Sequence, residues 1–290
     1  MISILITSYK EPKTIGNTLK SIVQQKIGEK YELWISAPDN ETLDVVRKYA
    51  KKDKRIKIFK DKGKGKSTAI NQILPKLKGG IIILTDGDVY LGKNSLNELL
   101  IQFKDTTIGA VSGQPVSQNS RNNIFGFWSH LLLYAAHKLR EKRYKKGKFL
   151  ECSGYLWAFR NIIKSFPIDV AEDSIVPALL WQKGWKIAYA EKALVYVKYP
   201  NNLKDTIEQR RRSMQAHEKL LNYAQFPKMK SLKNEIINSF VLFSYPKSLK
   251  EYFYLFFLFP FRFYLWLLAY YKKYTKRNYS DNWKRVESTK

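Results

Sequence analysis

Residues 81–88 read Ile81-Ile82-Ile83-Leu84-Thr85-Asp86-Gly87-Asp88, an apolar and β-branched run that breaks abruptly into two carboxylates flanking a glycine. A run this short and this apolar, closed by turn residues, predicts a strand buried on both faces, the mark of a parallel sheet covered by helices. Both carboxylates then emerge at the carboxyl edge of that strand, where open α/β sheets carry their ligands. Two neighbouring acids repel each other unless a cation joins them. A hard divalent ion shared with phosphate oxygens meets that need. The competing reading is a plain surface turn, which Asp and Gly also favour.

The same grammar extends upstream. Ile2 to Thr7, Glu32 to Ser36 and Ile56 to Phe59 read as strands, separated by helical patterns over Thr14 to Gln25, Glu41 to Lys51 and Ser67 to Leu77. Alternation of this kind calls for right-handed crossovers and predicts an α/β fold: a mixed, mostly parallel sheet with helices on both faces. Functional residues are then expected just after each strand. Downstream the alternation loosens. Strands are expected at Ala110 to Val116, Leu156 to Phe159 and Ile187 to Val197, and helices over Ile124 to Leu139 and Ser174 to Lys183. Past Pro200 one helix carries Gln209 to Met214 and another lies near Leu232 to Phe243.

At 290 residues the chain has room for one large domain plus an appendage. Its 52 Lys and Arg against 25 Asp and Glu give a net charge of +27, a field that attracts nucleic acid, anionic lipid or phosphorylated substrates. The single cysteine, Cys152, excludes an intrachain disulfide and a Cys-based zinc site, and the scattered His130, His137 and His217 do not make one either. The apolar run Met1 to Thr7 meets a Lys, a Glu and a Pro almost at once, so no secretory leader is expected and the N-terminal part is expected in the cytoplasm.

The last compositional feature is Tyr252 to Tyr271, twenty residues of which twelve are aromatic, with one charge, Arg262, and one proline, Pro260. As a helix it would be about 30 Å long, close to the thickness of a bilayer core. Its aromatic content suits the headgroup boundary, and Lys247 and Lys250 before it and Lys272, Lys273, Lys276 and Arg277 after it flank it with positive charge. The segment is expected to associate with a membrane, spanning it or lying in its plane; a buried core helix is the alternative. The boundary is set so that 1–225 forms the α/β domain and 226–290 a helical, aromatic, basic membrane-associated region.

Five motifs in order resemble the inverting family-2 glycosyltransferases, which use the GT-A nucleotide-diphospho-sugar transferase fold. Ile4 to Glu11 resembles that family's first strand and nucleotide loop, and Gly63-Lys64-Gly65-Lys66-Ser67 with Ala69 and Asn71 its lysine-glycine loop. Asp86-Gly87-Asp88 resembles its metal-binding D-x-D, and Glu172-Asp173 with Gly184-Trp185 its E-D and G-W elements. Gln209-Arg210-Arg211-Arg212-Ser213 is similar to Q-x-x-R-W, with Ser213 in place of the tryptophan. The match runs from residue 2 to about 214, and the E-D and Q-x-x-R elements lean toward the synthase-like branch.

The resemblance implies roles residue by residue. Thr7, Tyr9 and Glu11 would hold the nucleobase and ribose, together with Asp39, which stands displaced from the family's D-D-x-S pattern. Lys66 and the loop glycines would meet the diphosphate, although a solvated lysine loop is the plainer reading. Asp86 and Asp88 would hold Mn²⁺ or Mg²⁺. Asp173 would be the general base, supported by Glu172, although carboxylates also suit a helix entrance. Gln209 and Arg212, one helical turn apart, would face the leaving diphosphate. Gly154 and Trp185 are placed on the acceptor side, while Cys152 is expected to be an ordinary buried residue.

The function implied is metal-dependent, inverting transfer of a sugar from a nucleotide diphosphate donor, UDP-linked by preference, to a lipid-linked or glycan acceptor at the cytoplasmic face of the membrane. Two alternatives stand beside it. A metal-dependent nucleotidyltransferase would share the donor site but has no evident use for Glu172-Asp173 or Gln209 to Arg212. A basic nucleic-acid-binding protein would use the +27 charge, yet the chain shows no recognition module for it, and none is expected as a partner.

Overall fold

The computed structural model describes residues 1–227, 229 and 239–274, and within these the side chains other than 211–218, 239 and 269–274. Eight strands form one sheet: β1 (Ile2–Thr7), β2 (Tyr31–Ala37), β3 (Ile56–Lys60), β4 (Ile81–Asp86), β5 (Tyr90–Leu91), β6 (Ile108–Ser117), β7 (Leu156–Arg160) and β8 (Lys186–Val197). Their order is β3-β2-β1-β4-β7-β6-β8-β5. The pairs β1/β2, β1/β4, β2/β3 and β6/β8 are parallel, and β4/β7, β6/β7 and β5/β8 antiparallel. The sheet is therefore mixed. Its parallel half is the alternating N-terminal third of the chain, and the inverted β7 sits between β4 and β6.

The helices are α1 (Ile15–Val23), α2 (Asn40–Ala50), α3 (Lys66–Ile73), α4 (Ser95–Leu100), α5 (Ile124–Lys145), α6 (Glu172–Gln182), α7 (Leu203–Glu218) and α8 (Leu249–Tyr274). Two cores cover the two sheet faces, because successive strand side chains alternate between them. Ile2, Ile4 and Ile6 of β1 and Ile83 of β4 pack into one core with Ile15, Leu19 and Ile22 of α1. Leu5, Ile82 and Leu84 pack into the other with Ile70 of α3 and Val176 of α6.

A third cluster lies outside the sheet, where Phe127, Trp128 and Leu131 of α5 pack with Leu255 and Leu258 of α8. The aromatic C-terminal segment is thus helical and seated on α5. Among the described residues no helix is long and apolar enough to cross a membrane.

Several boundaries differ from expectation. The strand–helix pair β5 and α4 had no periodic signal strong enough to mark it. The helix expected to end at Leu139 continues to Lys145. Of the helix expected near Leu232 to Phe243, residues 232–238 lie outside the described residues, and Ser239–Ser244 forms a 3-10 turn.

Candidate active site

The site is built at the carboxyl edge where β1 and β4 end side by side. Thr7 pairs with Asp86 in the ladder, its hydroxyl donates to Asp86 Oδ1 at 3.4 Å, and the Gly87 amide donates to the Thr7 carbonyl at 3.0 Å. Gly87 must be a glycine for want of space. A Cβ there would stand 2.3 Å from Ser8 Oγ and 2.5 Å from Glu11 Oε2. Those two groups are themselves bonded, Ser8 Oγ donating to Glu11 Oε2 at 2.5 Å. Thr18 on α1 donates to the carbonyls of Gly87 and Val89 at 3.0 and 2.6 Å. The Asp-Gly-Asp turn is consequently pinned from both sides, with Asp88 half-buried beyond it.

Lys66 opens α3 directly after Gly65, whose φ of +106° is a conformation that favours glycine. The chain therefore turns sharply and sends the Lys66 ammonium into the edge. Its Nζ lies 2.7 Å from Asp86 Oδ1, 2.7 Å from Glu172 Oε1 and 3.3 Å from the Gly154 carbonyl. Burial alone would lower the Lys66 pKa, but the Asp86 and Glu172 carboxylates reverse this and hold it above the ordinary lysine value. Burial raises the Asp86 pKa, Lys66 opposes that rise, and the nearby Glu172 charge adds to it, leaving Asp86 above the ordinary carboxylate value.

Asp173 follows Glu172 in the first turn of α6. The segment before β7 is stitched to it: the Cys152 amide donates to the Asp173 carbonyl at 3.0 Å. A Cβ on Gly154 would sit 3.1 Å from Asp173 Oδ2, so the carboxylate lies directly over that glycine. Thr85 of β4 donates to the Tyr155 carbonyl at 2.7 Å, closing the ring of contacts back to the Asp-Gly-Asp strand. Asp86, Asp88, Glu172 and Asp173 together outweigh Lys66 in charge. A cluster of acidic residues thus stands at this edge within a chain of net charge +27.

The loop after β1 is ordered by Asp39. Its Oδ1 accepts from the Thr42 amide at 2.9 Å, capping α2, and its Oδ2 accepts from the Lys10 amide at 2.7 Å. Burial raises the Asp39 pKa, but the hydrogen bonds from Thr42 and Lys10 outweigh it and hold the carboxyl below its usual value. Lys10 takes φ of +53°, and its ammonium lies 5.6 Å from the Tyr9 ring centre. The Glu11 amide donates to Thr42 Oγ1 at 2.8 Å. Asp61 was not anticipated. It accepts from Ser36 Oγ and from the Gly63 amide, each at 2.8 Å, and so shapes the lysine-glycine loop. Its position just past β3 was the available signal, since Asp86 ends β4 in the same way.

One expected residue, Trp185, lies elsewhere. Arg160 lies 5.5 Å from the Trp185 ring centre and pairs with Ile81, the first residue of β4, whereas Asp86 is the last. At ~3.3 Å per strand residue that places Trp185 about 16 Å along the sheet from Asp86, at the opposite edge. This corrects the acceptor-side reading of Trp185, which packs instead against Gly109. Gln209 is half-buried on α7. Arg212 is on the same helix, with its side chain outside the described residues. Arg210 stands 5.7 Å from the Tyr199 ring centre, and Tyr199 is in ring contact with Tyr155 at 6.3 Å. Among the described side chains of the arginine run, Arg210 thus connects through Tyr199 to Tyr155. Cys152 is buried, and burial pushes its thiol pKa well up, which makes it inert.

Among the described residues no group of three or more His, Cys, Asp or Glu is arranged to hold a metal ion by itself. Asp86 and Asp88, the two ends of the Asp-Gly-Asp turn, are the carboxylates that could share a hard cation with substrate phosphates.

Comparison with known proteins bears on this geometry. The family model described as "Glycosyltransferase like family 2" matches residues 1–216. A poly-beta-1,6-N-acetyl-D-glucosamine synthase of Staphylococcus aureus is 26% identical over 234 residues, covering 76% of this chain and 55% of that protein. An N-acetylglucosaminyltransferase of Bradyrhizobium diazoefficiens is 22% identical, covering 73% of this chain and 47% of that protein. The chain thus spans about half the length of these curated relatives. Among solved structures, a mannosyltransferase of Pyrobaculum calidifontis in complex with GDP-Man and Mn²⁺ superposes with a TM-score of 0.66 at 19% identity, covering 93% of this chain and 84% of that one. The TarS protein of S. aureus in complex with UDP-GlcNAc gives a TM-score of 0.53 at 17% identity, covering 85% and 73%. At these identities the solved structures speak to the fold.

Proposed function

The chain belongs to the glycosyltransferase like family 2, and from that premise we propose that it moves a sugar from a nucleotide diphosphate donor, UDP-linked by preference, to an acceptor hydroxyl with inversion at the anomeric carbon. The observation that carries this reading is the bridge of Lys66 between Asp86 and Glu172, which ties the Asp-Gly-Asp turn and the Glu-Asp pair to one ammonium.

The nucleoside lies against the loop of Thr7, Tyr9 and Glu11, and Asp39 fixes that loop's course. The diphosphate points toward Lys66 and Asp88. Asp88 and Asp86 would hold Mn²⁺ or Mg²⁺, which would supply positive charge against the leaving group. Asp173 accepts the proton of the acceptor hydroxyl as its oxygen bonds to the anomeric carbon, and the bond from that carbon to the diphosphate oxygen breaks in the same step. The leaving diphosphate keeps the electron pair. Lys66, Gln209 and Arg212 are the groups assigned to stabilise it. One base opposite the leaving group suffices for a single displacement, in contrast to the two carboxylates of a hydrolase.

The acceptor is a lipid-linked or glycan hydroxyl at the cytoplasmic face of the membrane, receiving one or a few sugars. The aromatic C-terminal helix and the surplus of positive charge support that placement. The test is a screen of nucleotide sugars with Mn²⁺ and with Mg²⁺, reading the released product. Free nucleoside diphosphate, lost in Asp173→Asn, is the expected result. Release of pyrophosphate would assign nucleotidyl transfer instead and overturn the reading.

A further inference from the structure

Helix α8 presents two unlike faces. One carries Glu251, Leu255, Leu258 and Leu265, all buried. Arg121 grips Glu251 with two nitrogens at 2.9 and 2.8 Å, Trp128 Nε1 donates to the Tyr254 carbonyl at 2.7 Å, and the Trp128 and Phe261 rings stack at 4.9 Å. The other face carries Phe253, Phe256, Phe263 and Leu267 in water, with Phe256 72% exposed. The 3-10 turn Ser239–Ser244 extends it with Phe240, 77% exposed, and with Phe243, stacked on Phe259 at 5.7 Å. A contiguous apolar surface of this kind marks an interaction site.

We propose that this face docks into an anionic phospholipid leaflet, with α8 lying in the plane of the headgroup boundary. Three observations select that occupant and that orientation. Aromatic side chains with polar tips partition to the boundary, and Tyr252 and Tyr264 are exposed among the phenylalanines. Lys247 and Lys250 are exposed at the amino end of the helix, and the chain's net charge is +27, which complements an anionic surface and disfavours stacking against a second copy of the same chain. The inner face is already committed to α5. Standing α8 across a bilayer would strip Glu251 of Arg121 and leave a charge without its partner.

The anchor also sets the distance to the chemistry. Arg121 lies in the loop that follows β6, and β6 runs parallel in space to β4, so its end at Ser117 shares the sheet edge with Asp86. The amino end of α8 is therefore tied to the sheet edge that carries Asp86. This proposal rests on the glycosyltransferase reading only for its purpose, delivery of a lipid-linked acceptor.

The test uses the full chain and vesicles of phosphatidylglycerol and phosphatidylcholine in equal parts, beside phosphatidylcholine alone. The chain is expected to sediment with the mixed vesicles, more weakly as salt rises, and weakly with phosphatidylcholine alone. The exposed triple variant Phe253→Ser/Phe256→Ser/Phe263→Ser is expected to lose about tenfold or more in partitioning. Spin labels on Phe256→Cys and Leu267→Cys are expected at equal depth, whereas a spanning helix would separate them by about 16 Å. No binding of the parent chain, an unaffected triple variant or unequal depths would overturn the proposal. So would a concentration-dependent dimer that the triple variant abolishes while vesicles go unbound. Donor hydrolysis without vesicles separates the two readings. Hydrolysis without vesicle binding removes the docking alone, and vesicle binding without hydrolysis leaves the docking standing and removes the enzymatic reading.

Discussion

The Lys66 ammonium stands 2.7 Å from Oε1 of Glu172, so a cation at the start of α3 fixes the acid that immediately precedes Asp173. The same ammonium reaches Asp86 at 2.7 Å, and β4 and α6 are joined through it. Removing one member of a buried ion group leaves its partners unpaired, at a cost of about 3–5 kcal/mol. Lys66→Met is therefore expected to lose about that much stability in urea unfolding at neutral pH. The gap should narrow as pH falls, because Asp86, already raised by burial, then takes up a proton and sheds its unpaired charge. A loss below about 1 kcal/mol, the range of surface pairs, would show that the bridge is solvent-screened.

Asp88 follows the pinned Gly87 and is half-buried. Asp88→Asn keeps the size and loses the charge that the proposed divalent ion and diphosphate would need. Donor turnover is expected to fall by about 10²-fold or more, with the unfolding midpoint nearly unchanged. Retained turnover in the presence of Mn²⁺ would exclude the carboxylate from the donor site.

How much of this was legible in the sequence follows from what each signal measures. The strands β1 to β4 and their helices were legible because apolar runs and helical periods are local, and the rule that ligands gather after strands pointed to Thr7 and Asp86. The inversion of β7 was not, since nothing local in Leu156–Arg160 tells parallel from antiparallel pairing. The short β5 and α4 carry too few residues for a period. Trp185 was drawn in by its Gly184 neighbour, yet that glycine serves a turn, with φ of +86°, at the far edge. Lys66 was legible as a loop lysine. Its union with Asp86 and Glu172 is tertiary and belongs to packing.

Glu32 gives a pH dependence unrelated to catalysis. It sits at the edge opposite the pocket, accepting from Ser3 Oγ, Lys57 Nζ and the Lys78 amide, each at 2.7 Å. Burial alone would raise its pKa, but the bonds from Lys57, Lys78 and Ser3 outweigh burial and hold it at about 2, against 4.5 for an ordinary glutamate. A depressed carboxylate contributes stability above its unfolded pKa and loses it as pH falls toward the folded value. The contribution is about 2–3 kcal/mol at neutral pH, with the lower figure reflecting the half-exposed Lys57. Glu32→Gln should lower the unfolding free energy from urea titration at neutral pH by that amount, approach the parent near about pH 2, and leave turnover intact. A pH-independent difference would mean that packing, and not charge, is what the substitution removes.

Gly154 offers the sharpest separation of chemistry from folding. Its φ lies outside the left-handed region, so an alanine meets no backbone strain there, and the nearest atom to the new Cβ would be Asp173 Oδ2 at 3.1 Å. That contact is tight enough to push the carboxylate by a few tenths of an ångström while the surrounding core keeps its packing. General-base catalysis is steep in this displacement, because the base must lie in line with the incoming hydroxyl, and misplacement by about 1 Å costs on the order of 10²-fold. Gly154→Ala is accordingly expected to lower kcat by about tenfold, with the donor KM and the unfolding midpoint little changed. A change in donor KM at constant kcat would instead place Asp173 on the donor side, and the assignment of the base would move to Glu172.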